Sequence, residues 1–134
     1  MTWFSSRGVA AAGCLLLALA AGCRAETDPA PEIQLAWRLL PHPPRMGPAR
    51  LAFTLTDRTT EQPVTGARVR VEANMTHPGM RPVPAEATEV RPGHYEADLT
   101  LTMSGDWFVL LEITLPDDRV LNRQFDVPGV QARP

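Results

Sequence analysis

From Ile33 onward the apolar residues fall on every second position, and this alternation constrains the fold more than any other feature. Ile33, Leu35, Trp37 and Leu39 alternate with more tolerant positions, as do Leu51, Phe53 and Leu55. Ala67, Val69, Val71 and Ala73 interleave with Arg68, Arg70 and Glu72. A weak run lies at 87–90, and then Tyr95, Ala97, Leu99 and Leu101 alternate again. The segment WFVLLEITL, 107–115, is the most apolar and is expected to be a central strand; residues 120–127 follow it. Successive side chains of a strand point to opposite faces, so each run buries one face and wets the other. The breaks carry proline, glycine and aspartate: PHPPRMGP at 41–48, the stretch 57–63, Pro92-Gly93, Ser104-Gly105-Asp106 and Pro116-Asp117-Asp118. Turn signals roughly every 8 to 12 residues, with no helical periodicity after the N-terminus, predict an all-β chain. The expected architecture is an immunoglobulin-like β-sandwich of about seven short antiparallel strands.

The N-terminus reads differently. MTWFSSR carries one positive charge, at Arg7, and GVAAAGCLLLALAAG then runs uncharged for the length of a signal-peptide core. That is short for a permanent span, which needs roughly 20 apolar residues. The end of the run, Leu19-Ala20-Ala21-Gly22-Cys23, resembles the lipobox of bacterial lipoproteins, cut before a cysteine whose thiol is lipidated. Ala20 stands where leucine is more usual, and an ordinary secretory signal cut near Cys23 is the alternative. Arg24, not aspartate, follows the cysteine, which in a Gram-negative cell resembles outer-membrane sorting. The expected division is a signal peptide at 1–22, a lipidated Cys23 and polar tether at 23–32, one domain at 33–128 and a loose tail at 129–134. This places the chain in a bacterial cell envelope, lipid-anchored and facing the periplasm. Cys14 would leave with the signal and Cys23 would carry lipid, so the mature domain has no thiol for a disulfide or a metal.

Several function classes are disfavoured. The formal charge is −2, so no basic field exists to hold nucleic acid. All 13 basic residues are arginine, which removes lysine Schiff-base chemistry. The one serine beyond Cys23 is Ser104, in a tight turn without a nucleophile-elbow pattern. Zinc-protease, phosphate-loop and dinucleotide motifs are absent from the sequence. Glu86 and Glu89 read as a solvated strand face. Asp117-Asp118 reads as a solvated turn, since calcium needs six or more oxygens. An enzyme is not expected.

Four short motifs occur in a set order. Pro63-Val64-Thr65-Gly66-Ala67-Arg68-Val69 opens a strand, and Met75-Thr76-His77-Pro78-Gly79-Met80 forms a loop. Pro92-Gly93-His94-Tyr95 and Met103-Ser104-Gly105-Asp106-Trp107 follow. Together they resemble the YtkA-like domain, related to the FixH family, over residues 49–127. The resemblance implies an immunoglobulin-like sandwich, membrane-bound or secreted. It also suggests copper handling, or help in assembling a copper oxidase. FixH-type proteins keep a transmembrane helix, whereas this chain resembles a lipoprotein.

The stretch ANMTHPGMRP, 73–82, then has two readings. Thioether sulfur suits Cu(I), and imidazole suits Cu(I) and Cu(II). In a continuing strand Met75 and His77 share a face, and Pro78-Gly79 can turn Met80 back toward them. Met103, at another strand end, is a candidate fourth ligand if the two loops share one end of the sandwich. His94 and His42 are weaker candidates. In the other reading Met75 caps the core, since it shares the parity of Val69, Val71 and Ala73, and Met103 continues the parity of Tyr95 to Leu101. Trp107 is expected in the core. Two functions follow: a copper-buffering or copper-delivering lipoprotein with an envelope copper protein or oxidase-assembly partner, or a metal-free module that assists an envelope complex through an exposed edge strand.

Overall fold

A computed structural model describes residues 27–134, so the expected signal peptide and the expected lipidation at Cys23 lie outside the described residues. Nine strands follow in order: β1 (Ile33–Leu40), β2 (Gly47–Asp57), β3 (Gln62–Pro63), β4 (Arg68–Met75), β5 (Val83–Glu86), β6 (Thr88–Arg91), β7 (His94–Leu101), β8 (Gly105–Thr114) and β9 (Val120–Val130). One antiparallel sheet has the order β1-β2-β7-β6, with β3 on the end of β2; the other has the order β5-β4-β8-β9. The alternating residues meet between the two sheets, as expected of a sandwich. Val69, Val71 and Ala73 are buried from β4, Tyr95 to Leu101 from β7, and Trp107 to Ile113 from β8. The most apolar segment, β8, is central in its sheet, between β4 and β9. No buried side-chain nitrogen or oxygen among the described residues lacks a hydrogen-bond partner.

The strand count exceeds the expected seven because short pairings replace expected turns. Gln62 and Pro63 pair with Asp57 and Thr56. Val83–Glu86 pairs with β4. Ala87 then crosses the chain between sheets, its N–H bonded to the Val69 carbonyl at 3.0 Å. Both β5 and β6 are edge strands of four residues: β5 alternates over only two inward positions, and β6 is exposed throughout.

Both ends of the domain are more ordered than the sequence implies. Ala30 is fully buried, and the segment around it is held by arginines: Arg119 bonds Glu32 at 2.7 Å, Arg123 meets Asp28 at 2.9 Å, and Arg58 donates to the Pro31 carbonyl at 2.7 Å. The hydrogen bond from Arg119 holds the Glu32 carboxyl below its ordinary range. The expected tether is therefore docked from Asp28 onward. At the other terminus β9 continues through Gly129 to the buried Val130, and Gln131 exchanges hydrogen bonds with Met46 and Pro44. The expected loose tail begins only beyond Gln131.

One glycine is required by geometry. Gly93 has φ +74°, and an added Cβ would sit 2.5 Å from the Pro63 Cβ, so the β6–β7 turn packs directly on β3.

Candidate functional site

The strand directions sort the loops into two groups. β7 ends at Leu101 beside the start of β2 at Gly47. β4 ends at Met75 opposite Trp107, and β8 begins at Gly105 opposite Val130. The connections 41–46, 76–82 and 102–104 therefore share one end of the sandwich. The docked N-terminal segment and the turn at 115–119 occupy the other end. Met75, His77, Met80 and Met103 all fall at the first end, as the candidate site requires.

Within that end the four residues differ. β4 stops at Met75, so His77 does not continue the strand face and stands exposed in the following turn. Met75 is half-buried and packs against the core from its rim. Its Cε lies 3.2 Å from where a Cβ on Gly105 would stand, and Gly105 has φ +122°. Gly105 thus accommodates the thioether at a backbone angle that other residues rarely adopt. Met80 is half-buried, and its N–H reaches the His77 carbonyl at 3.5 Å. Met103 does not continue the core parity of β7, because that strand ends at Leu101. Its side chain is 40% exposed, while its carbonyl accepts a hydrogen bond from Trp107 Nε1 at 3.0 Å. Trp107 is itself buried, as expected. The Met75 side chain, Gly105, Trp107 and the Met103 backbone therefore form one contiguous unit joining the two loops.

Other candidates are placed elsewhere. His42 is at the same end but on the β1/β9 side, near Trp37, Pro44 and Val127. His94 starts β7 at the opposite end, across from Thr54 and Arg91. Both lie apart from the methionine loops. Met46, which sequence reasoning passed over, also sits at the loop end, half-buried and tied through its N–H to Gln131. Its only sequence signal was proximity to Gly47 in a proline-rich connection. Among the described residues no three His, Cys, Asp or Glu side chains gather closely enough to ligate a metal.

The YtkA-like family model matches residues 34–112, from β1 through most of β8. The chain belongs to the YtkA-like family. The Pro63–Val69, Met75–Met80, Pro92–Tyr95 and Met103–Trp107 motifs, and so both methionine loops of this YtkA-like domain, fall within the matched residues. The C-terminal β9 lies beyond the matched residues. No curated protein matches the chain.

Proposed function

We propose that this YtkA-like protein is an envelope lipoprotein, anchored through Cys23, that binds Cu(I) as cargo through Met75, Met80 and Met103, with His77 as the imidazole donor. The observation that supports this most is the junction of the two methionine loops: Met75 packs on Gly105 while Met103 is tied to Trp107 two residues further on. Thioethers and one imidazole form a soft donor set suited to Cu(I), and the proposed mature domain has no thiol to compete. Met75 would supply a sulfur held by the core. His77 and Met103 are exposed and would close on the ion from the loops. Such a partly formed site suits a protein that must also release its metal, to an envelope copper protein or an oxidase under assembly. The proposed tether leaves from the end of the strands opposite these loops.

The test is competition for Cu(I) against a chromophoric chelator, using residues 27–134. This segment contains the whole described core. One-to-one binding is expected, and Met75→Leu/Met80→Leu is expected to weaken it at least tenfold. Leucine for methionine usually costs under about 1.5 kcal/mol even in a core, so the melting temperature should move by no more than a few degrees. A variant that binds Cu(I) as tightly as the parent removes the site and leaves the metal-free module as the reading.

A further inference from the structure

The edges of the two sheets are not equally protected. An unpaired edge strand offers free N–H and C=O groups to another chain, and folded proteins blunt such edges by shortness, proline, bulges or cover. β5 has four residues and carries Pro84. β6 has four residues and a register shift between Glu89 and Arg91. β9 carries Pro128, and it is covered at one end by the Gln131 pairing and at the other by arginine contacts to the N-terminal segment. Among the described residues β1 has none of these devices: it has eight residues, no proline and unbroken register with β2 from Ile33 to Leu40, and its single charge is Arg38 on the outer face.

The backbone shows which groups of β1 are free. Leu55 directs its N–H to Gly93 and its carbonyl to Val64, both away from β1. The Glu32 carbonyl accepts from Arg58, toward β2. Hydrogen-bonding direction alternates along a strand, so even-numbered residues of β1 bond β2. Leu35, Trp37 and Leu39 therefore direct their N–H and C=O outward. Ile33 is the exception at the strand start, its N–H bonded to Ala30 at 3.1 Å. Trp37 is 39% exposed although its ring stacks on Phe125 at 3.9 Å, and Leu40 is 43% exposed.

We infer that β1 is a self-pairing edge and that the partner it fits is a second copy of this chain, joined antiparallel about a two-fold axis at Trp37. This inference is independent of the copper reading. In that register Trp37 faces its own copy and Leu35 faces Leu39, each as a hydrogen-bonded pair. All the outward groups of these three residues are then satisfied in both copies. On the outer face Ala36 meets Arg38 and Gln34 meets Leu40, so no like charges stand directly opposite. The pairing is isologous and consumes the open edge, so it stops at two copies. Because the strands run antiparallel, the methionine loops of one copy lie beside the N-terminal segment of the other. If both copies are lipid-anchored in one bilayer, the strands lie along its surface.

Sedimentation equilibrium of residues 27–134 over a range of concentrations tests this, with Ala36→Glu and Ala36→Arg as register-specific variants. Ala36 is exposed on the outer face, so neither change disturbs the core. A monomer–dimer equilibrium without higher species is expected. Ala36→Glu creates two cross-copy pairs with Arg38 and should tighten the dimer severalfold; Ala36→Arg should loosen it severalfold. A monomer at every concentration overturns the proposal, and so does a dimer that responds equally to both variants.

Discussion

Trp107→Ala is expected to be the most damaging single truncation in the domain, lowering stability by about 3–5 kcal/mol. Trp107 is among the largest fully buried side chains, and it lies on the central strand β8 opposite Met75 on one side and Val127 on the other. Its removal leaves a cavity in the core cluster, and it deletes the Nε1 donor that holds the Met103 carbonyl. A domain of this size has only about 5–15 kcal/mol in total, so the melting temperature should fall by about 15 °C or more. Calorimetry of parent and variant checks this. A loss under about 1 kcal/mol would mean that Trp107 is not the keystone of this end of the core.

Tyr95→Phe is expected to cost about 1–3 kcal/mol, because it removes a hydroxyl while leaving its partners in place. The Tyr95 hydroxyl donates to the Val64 carbonyl at 2.8 Å and accepts from the Ala67 N–H at 3.2 Å, pinning the segment between β3 and β4 to β7. Glu89 supports the same corner, accepting from the Gly93 and Gly66 N–H groups at 3.1 Å each. Those bonds, Gly93 first, hold the Glu89 carboxyl below its ordinary range. Burial pushes the Tyr95 phenol up to about 12. A raised folded-state value means the protonated form is favoured by folding. The contribution is therefore complete below about pH 10, the unfolded value, and is lost as pH rises toward 12. Tyr95 is the only tyrosine, so phenolate absorbance reports this group alone. Titration near pH 10 in the native protein, as in denaturant, would show that the hydroxyl is not held as described.

The sandwich was legible because burial and strand periodicity coincide. Wherever a strand has a buried face, as at Val69, Val71 and Ala73 or at Tyr95 to Leu101, the alternation marks both the strand and its inner side. The short strands were less legible: β3 and β6 are exposed on both faces and leave no period to read, and β5 shows only two inward residues, Val83 and Ala85, too few to establish one. The docking of Asp28 to Glu32 depends on Arg119 and Arg123, about 90 residues away in sequence. No local pattern announces a pairing at that separation. At the candidate site the residues were legible but their arrangement was not. The end of β4 at Met75 and the packing of Met75 on Gly105 depend on contacts between loops that are separate in sequence. The open edge of β1 likewise becomes visible only when the other edges are known to be short, broken or covered.

If one Cu(I) sits between the two methionine loops as proposed, X-ray absorption at the copper edge of the Cu(I)-loaded domain reads its ligands without an intermediary. One copper per chain is expected, with a first shell dominated by sulfur, a nitrogen contribution that disappears in His77→Ala, and a reduced sulfur contribution in Met103→Leu. A first shell of nitrogen and oxygen alone, or copper that does not remain with the protein, would contradict it.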